Sequence, residues 1–444
     1  MMRSDVSGFY KLPVERRLRI LRERAGLSKS DIKILAHNSA LLHETADMMI
    51  ENVVGTIQLP IGIATHFKIN GVDKFVPMAI EESSVVAAAS HAAKLARPEG
   101  FKASSDEPLM IGQIQLKSIK NMEKAKKDIV RRFEELKSIA NGRESVLVKL
   151  GGGLKGIELR ELDTDRGKML IVHLLIDVRD AMGANAVNTY CEEIAPYLEE
   201  LTGGKSVLKI ISNLAARRIV RGRAVWKKND LGKETIDRIL DAYAFAKADP
   251  YRAATHNKGI MNAIDAVMIA TCNDWRAAEA GAHAYAALNG YKPLTAYEKN
   301  KNGDLAGKIE LPLAVGLVGG ATRMHPVAQV ALKILDVNSA RDLAEVVACV
   351  GLANNFAALR AMVKEGIRQG HMKLHATNIA HMAGAKEEEI ALVAKRLVEE
   401  GNISYSRARQ AVKQVRYDIR KKKIKKLIRR VHEKVHKHHH TKKN

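Results

Sequence analysis

The stretch Arg252-Ala-Ala-Thr-His-Asn-Lys-Gly-Ile-Met-Asn262 sets Lys258 among polar neighbours, and Asp274 follows in Asn273-Asp-Trp275 at what reads as a helix start. A lysine near a carboxylate places a cation where an oxyanion forms. Glu81 and Glu82 add acids, and His371 adds an imidazole, which titrates near neutral pH. An acid, a cation, an orienting carboxylate and a second acid suit reduction of a carbonyl with departure of a thiolate. Plainer readings exist for two of them. Glu82, read in the first turn of a helix, is a carboxylate that the helix dipole favours, and proton donation from it needs burial. Asp274 also reads as a helix N-cap.

Two turns could approach a phosphate. Asp180-Ala-Met-Gly-Ala-Asn185 follows a strand and opens a helix, where Gly183 allows close backbone approach and free N–H groups face an anion. It is not the usual dinucleotide fingerprint, and a simple strand-to-helix turn explains it as well. Gly316 to Thr322 is a second glycine-rich turn. His371 and His375 share a helix face, but the glutamate of a zinc-protease pattern is absent, so no metal site is expected. Cys191, Cys272 and Cys349 lack metal-ligand spacing and read as small buried apolar residues in a reducing cytoplasm.

A chain of 444 residues predicts two or three domains. Aromatic residues make up only 4%, which predicts an aliphatic core. The net charge is +23, but residues 416–444 hold 13 Lys/Arg against 2 Asp/Glu, so +11 of it sits in the tail. The moderately basic body suits a ligand carrying phosphates, such as a nucleotide. In the tail Ile424, Leu427, Ile428, Val431 and Val435 form one stripe of an amphipathic basic helix, which could take an anionic partner. No run of about eighteen uncharged apolar residues predicts a membrane span, and the first residues lack a signal-peptide core.

Along the chain, residues 15–50 read as helices, with Ser28 and Asp31 as a helix-start pair. Phe67 to Pro77 reads as a hairpin turning at Asn70-Gly71. Glu81 to Ala96 reads as a helix, and residues 99–107 as a boundary. Ile111–Ile119, Ile157–Leu162, Lys168–Asp177 and Val207–Ser212 read as strands, with helices over Lys124–Asn141 and Asn185–Leu201 between them. Helices are predicted over Thr235–Lys247, Asn257–Thr271, Asp274–Leu288, 325–335 and 340–369. Strands are predicted over Leu294–Glu298 and Gly307–Pro312, and short helices over 371–415 after a break at Gly370.

These stretches, with Glu51-Asn-Val-Val-Gly55, Pro60, Ser212-Asn-Leu-Ala215 and Gly370-His-Met372, run in order from about residue 5 to 415. Together they resemble the class II 3-hydroxy-3-methylglutaryl-coenzyme A (HMG-CoA) reductases; the lysine of His-Asn-Lys-Gly is what points to class II. The resemblance implies an α+β fold with a large, mainly helical HMG-CoA-binding domain (1–107 and 216–368). Inserted in it would be a small ferredoxin-like NAD(P)-binding domain (108–215), followed by a C-terminal helical flap (369–415). A basic helical tail (416–444) lies beyond the family's usual end. The resemblance further implies a homodimer with active sites at the subunit interface.

By the same resemblance Lys258 stabilises the oxyanion, Glu82 donates a proton to the aldehyde oxygen, Asp274 hydrogen-bonds both, and His371 protonates the leaving coenzyme A thiolate. Ser84, Arg252, Asn213 and Asn262 correspond to substrate-positioning residues. Asp180, Met182, Gly183 and Asn185 correspond to cofactor contacts, and Glu144 to the position beside the adenine ribose. A carboxylate there favours NADH over NADPH, although the adjoining Arg143 could accept a 2′-phosphate. Ser83 stands where the family commonly has proline. Two rivals are another nicotinamide-dependent acyl-thioester or aldehyde reductase, and a nucleic-acid or membrane-surface binding protein on an inactive reductase scaffold.

Overall fold

Asn70 and Gly71 both take positive φ (49° and 87°) and join two antiparallel strands, with Ile69 opposite Val72. That is the primed turn the dipeptide predicts. The computed structural model describes residues 3–37, 40–142, 146–364 and 367–440, with side chains described through Lys364, from His375 to Lys421, and at Ile424 and Lys425. It divides into two compact units, Met1–Arg360 and Ala361–Asn444.

The described strands, all in the first unit, are β1 (Ile61–Ile69), β2 (Val72–Ala79), β3 (Phe101–Ser105), β4 (Leu109–Lys117), β5 (Gly153–Thr164), β6 (Gly167–Asp177), β7 (Lys205–Ser212), β8 (Ile219–Trp226), β9 (Thr295–Lys299) and β10 (Leu305–Pro312). They form a six-stranded sheet, β2-β1-β3-β8-β10-β9, and a four-stranded sheet, β5-β6-β4-β7. The smaller sheet is antiparallel throughout and runs strand, helices, strand, strand, helix, strand in sequence. That is the ferredoxin-like order. The larger sheet lies within a domain that is otherwise mainly helical, as expected. Strand β3 occupies the stretch read as a boundary, and β8 went unread because two outward arginines break up its apolar run.

The larger sheet also departs from an all-aliphatic core. Trp226 is fully buried and stacks on Phe356 at 3.8 Å between ring centroids, with Phe101 at 6.4 Å edge-on. Its indole N–H donates to the Ala92 carbonyl at 3.1 Å. Phe67, Phe101, Trp226, Tyr297 and Phe356 are thus gathered where one sheet face meets the helix Ala340–Lys364. That helix is long and apolar enough to cross a membrane by length and composition, but it holds no run of eighteen uncharged residues and is mostly buried inside the protein.

Helix boundaries differ where caps decide them. The helix containing Lys258 begins at Pro250, not Asn257, because Asp249 caps it (accepting from the Arg252 N–H at 3.1 Å) and proline suits the first helical position. The helix after the paired glutamates begins at Val85, since Ser84 is left-handed (φ 79°); Glu82 therefore precedes the helix instead of lying in its first turn. The helix expected over Lys124–Asn141 divides at Arg132.

In the second unit the helix Ile367–Met382 passes through Gly370 without the expected break. A mid-helix glycine costs only about 1 kcal/mol, which packing can offset. It packs with Glu387–Glu399 and Tyr405–His440 around Ala376, Ala380, Val393, Leu397, Ala408 and Val412. The last helix is continuous across position 416. Arg416 pairs with Glu389 at 2.9 Å and Ile419 packs on the same core, so the expected start of the tail falls inside a folded element.

Replacing Trp226 by alanine should lower the unfolding free energy by about 3–5 kcal/mol. Urea denaturation should show a reduced midpoint at unchanged slope. An unmoved midpoint would mean that this aromatic cluster does not anchor the large sheet.

Candidate active site

The central helix Pro250–Ala270 turns its polar residues in two directions. Asn257 faces inward: its amide donates to the Lys292 carbonyl at 2.9 Å and its Oδ1 accepts from the Leu294 N–H at 3.0 Å. His256 is buried, with Nε2 at 2.6 Å from Thr295 Oγ1. The Thr295 hydroxyl donates onward to Asn355 Oδ1 at 3.0 Å, so Nε2 must carry the imidazole proton. Nδ1 is buried without a hydrogen-bond partner. Burial, with Arg252 nearby, brings the His256 pKa down to about 3.

With its two predecessors locked inward, Lys258 points out. Its ammonium lies 3.2 Å from Glu82 Oε2, which also accepts from Asn262 Nδ2 at 3.4 Å. The side chains of Lys258 and Glu82 are 63% and 39% exposed, so their pairing contributes about 1 kcal/mol at most. This is a cation and an acid held ready at a surface, not a structural tie. Three residues beyond Asn262, Asp265 continues the same helix face. Burial and the neighbouring Glu279 raise the Asp265 carboxyl, while His283, 2.7 Å from Glu279, holds Glu279 low. The sequence reading missed Asp265, although its i+7 spacing from Lys258 was visible.

A second constellation lies at the far end of the helix. A cavity of about 710 Å³ is lined by Met182, Gly183, Asn185, Asn273, Asp274, Gly319 and Gly320, among others. Gly183 (φ 108°) precedes the helix Ala184–Thr202, whose first N–H groups lack intrahelical partners. Gly316 lies so close to this turn that a Cβ there would stand 2.5 Å from the Met182 nitrogen. Two side chains clamp the rim. Arg218, buried, donates to the carbonyls of Ala181 at 3.1 Å and Val315 at 2.6 Å; burial brings its pKa down to about 10. Asn273 Oδ1 accepts from the Gly316 N–H at 2.7 Å. The sequence reading missed Arg218, which nothing local sets apart from Arg217.

The predicted residues therefore fall into two groups. Glu82, Lys258 and Asn262 meet; Asp274 joins Met182, Gly183 and Asn185. Asp274 caps the helix Trp275–Ala287, accepting from the Ala277 N–H at 3.0 Å, and lies 3.6 Å from Arg276. The expected bonds from Asp274 to Lys258 and Glu82 are not made within this chain. The physical reason is length: twelve helical residues separate Lys258 from Ala270, about 18 Å of rise, beyond the reach of a lysine.

Asp180 does not line the cavity, because its carboxylate accepts from the Ala340 N–H at 2.8 Å and its carbonyl from the Leu317 N–H at 2.9 Å. Ser84 supplies the left-handed turn behind Glu82. Arg252 lies one helical turn before His256. Asn213 is exposed at the end of β7, its carbonyl where a Cβ on Gly281 would come within 2.6 Å. Glu144 and the side chain of His371 lie outside the described residues. Cys191 and Cys349 are buried thiols whose pKa burial raises, as expected of apolar fillers. Cys272 is half-buried on the cavity wall.

Residues 13–376 match the family model described as hydroxymethylglutaryl-coenzyme A reductase. The chain belongs to the HMG-CoA reductase family. A reductase named 3-hydroxy-3-methylglutaryl-coenzyme A reductase from Archaeoglobus fulgidus is 55% identical over 417 residues, covering 94% of this chain and 95% of its own. A probable HMG-CoA reductase from Borreliella burgdorferi is 37% identical, covering 76% and 79%. The class II HMG-CoA reductase of Streptococcus pneumoniae, solved bound to NADPH in open conformations, superposes with a TM-score of 0.77 at 39% identity, covering 91% of this chain and all of that one. The chain is thus an oxidoreductase of the mevalonate pathway, with the mixed fold of the class II enzymes. Nothing in these matches supports the rival reading of a binding protein on an inactive scaffold.

In this reductase the inward lock of His256 has a measurable pH signature. The folded state keeps the imidazole neutral down to about pH 3, whereas an unfolded histidine takes its proton near 6.5. Between those values the unfolded state binds one proton more, so the stability this group contributes is full above 6.5 and declines as pH falls. His256→Gln should flatten the slope of unfolding free energy against pH by close to one proton between pH 6 and 4. A slope equal to the parent's would show that His256 is not held neutral.

Proposed function

We propose that the active site is assembled from two copies of the chain. Glu82, Lys258 and Asn262 come from one copy, and Asp274 with the turns around Gly183 and Gly316 from the other. The assembled site carries out the four-electron interconversion of HMG-CoA with mevalonate and free coenzyme A. The observation that carries this reading is the separation of Lys258 from Asp274 along one rigid helix, although the reaction needs both at one carbonyl. A second observation supports it. Val54, within the Glu51-Asn-Val-Val-Gly55 motif, and Ile57 just after it are 99% and 93% exposed, and Leu42, Met48 and Ile50 are exposed with them. So much apolar side chain on one segment suits a subunit contact.

The glycine-lined cavity fits a dinucleotide: free N–H groups at the start of Ala184–Thr202 suit its pyrophosphate, and no side chain stands at Gly319 and Gly320. A reduced nicotinamide bound there supplies hydride, two equivalents for each thioester taken to an alcohol. The chain's own residues handle charge and protons. Lys258 faces the oxyanion that forms on the thioester carbonyl. Glu82, already 3.2 Å from that ammonium, donates a proton to the aldehyde oxygen in the second reduction. Asp274 of the other copy, its carboxylate held at a helix start, sets the orientation of both. His371 takes the role that the family resemblance gives it, protonation of the departing thiolate. Ser84, Arg252, Asn213 and Asn262 position the substrate.

The carboxylate of Glu144 favours NADH, whereas the Streptococcus relative was solved with NADPH; the two cofactors are therefore assayed side by side. About two nicotinamides should be oxidised per HMG-CoA, and Lys258→Ala should lower kcat at least about a thousandfold. Lack of turnover by folded, dimeric protein with either cofactor would remove the reductase reading. The two-copy site has its own test. Lys258→Ala and Asp274→Ala chains, each inactive alone, should regain about a quarter of parental activity when unfolded and refolded together. Half the dimers are then mixed, and each holds one intact site of two. No recovery in verified mixed dimers would place both residues in a single-chain site.

A further inference from the structure

The large sheet turns its second face to a cavity of about 830 Å³ that none of the catalytic or cofactor-side residues above line. Side chains alternate along each strand. Phe101, Gly222, Trp226 and Ile309 enter the core, so Lys102, Arg223 and Lys308 point the other way. Strand register makes them direct neighbours: Lys102 lies opposite Arg223, and Arg223 opposite Lys308. Three cations thus form one row across three adjacent strands, about 4.8 Å from one strand to the next. Like charges directly opposite one another destabilise a sheet.

All three are exposed on the cavity lining, and none of their side chains makes an ion pair or hydrogen bond among the described residues. The adjoining row shows how the fold neutralises a cation when it does so. There Arg221 pairs with Glu310 at 2.8 Å and with Asp106 at 2.7 Å, and Glu310 also accepts from the Tyr285 hydroxyl at 2.6 Å. The acid that could serve the triple row is therefore committed. On the other side the outward residues are Val225, Ala306 and Glu298, and no ion pair joins Glu298 to Lys308. Lys292 adds a fourth cation at the rim, with its ammonium on the Lys247 carbonyl at 3.1 Å. Tyr243, Leu288 and Pro293 give one wall an apolar surface.

We propose that this cavity binds a compound bearing a chain of two or three phosphates, laid along the Lys102–Arg223–Lys308 row, at a site separate from the active site. A linear row of cations at strand spacing matches a linear run of anionic groups. A single carboxylate would neutralise only one of the three. The guanidinium at the centre suits phosphate oxygens in a forked geometry. A concave site of this size, walled by the helices Lys233–Ala248 and Trp275–Ala287, takes a small molecule. The repulsion stored in the unliganded row is what such a ligand relieves.

The test uses the full-length chain in low-salt buffer free of phosphate. Inorganic tripolyphosphate is titrated by calorimetry and by thermal melting, beside orthophosphate and ATP, on the parent and on an Arg223→Gln/Lys308→Gln double variant. The parent should bind tripolyphosphate saturably, with a rise in Tm, and orthophosphate at least about tenfold more weakly. The double variant should lose at least about tenfold in affinity at this site. Its unliganded Tm should equal or exceed the parent's, because like charges have been removed. Its reduction of HMG-CoA should stay within about twofold of the parent's. ATP separates the sources of the phosphates: tighter binding than tripolyphosphate assigns the apolar wall to an organic group, equal binding assigns recognition to the phosphates alone, and both uphold the site. Three results overturn the proposal: no saturable binding to the parent, equal affinity of parent and double variant, or a lower unliganded Tm in the variant, which would make the cations structural.

Discussion

The pinning of one helix from beneath governs the chemistry of this molecule. Pro250–Ala270 must present a flexible, strongly hydrated lysine in one direction, and the lysine has no rigidity of its own. The rigidity comes from the two residues before it. Asn257 borrows the backbone of the Lys292–Leu294 segment, and His256 enters a chain of hydrogen bonds through Thr295 and Asn355. Because the imidazole is buried and kept neutral, this network does not loosen across the pH range in which a surface histidine would titrate. The helix cannot roll about its axis without breaking those bonds, so Lys258 remains on the side facing Glu82.

The same rigidity divides the labour of catalysis. A helix that carries the cation near its middle and leads to Asp274 beyond its C-terminal end holds them apart as firmly as it holds each in place. In the proposed two-copy site, the Lys258 side and the Asp274 side are two half-sites on one chain. Small turns and caps give the second half its shape: the left-handed glycine before Ala184–Thr202, the close approach of Gly316, and an aspartate spent on capping Trp275–Ala287. These local devices require no partner subunit, and so the halves can be complete before they meet.

How much of this was legible depended on whether a residue's role was local. The Asn70-Gly71 turn and the Ser28–Asp31 capping box are written in adjacent residues, and both appear as read. Glu82 and Lys258, read as neighbours, meet at 3.2 Å, but the distance from either to Asp274 was not legible, because spacing in sequence does not say which end of a helix faces what. Strands β3 and β8 went unread because outward Lys102, Arg221 and Arg223 broke up apolar runs that burial on one face makes regular. Arg218 had no local signature, and Asp265 only its spacing from Lys258; each acquires its character from what the fold packs around it. The +23 charge was read chiefly from the tail, while its most orderly expression in the folded body is the Lys102–Arg223–Lys308 row.

Arg218 has a mechanical consequence. Its hydrogen bonds go to main-chain carbonyls on two separate turns, those of Ala181 and Val315. Pulling the turns apart would strand a buried guanidinium with neither water nor acceptor, a penalty of several kcal/mol. The two turns therefore travel as one body or not at all, and the rim of the cofactor-side cavity behaves as a hasp that stays shut. On the proposed reading, a dinucleotide enters and leaves past some other wall of this cavity, and the clamped rim is its fixed reference.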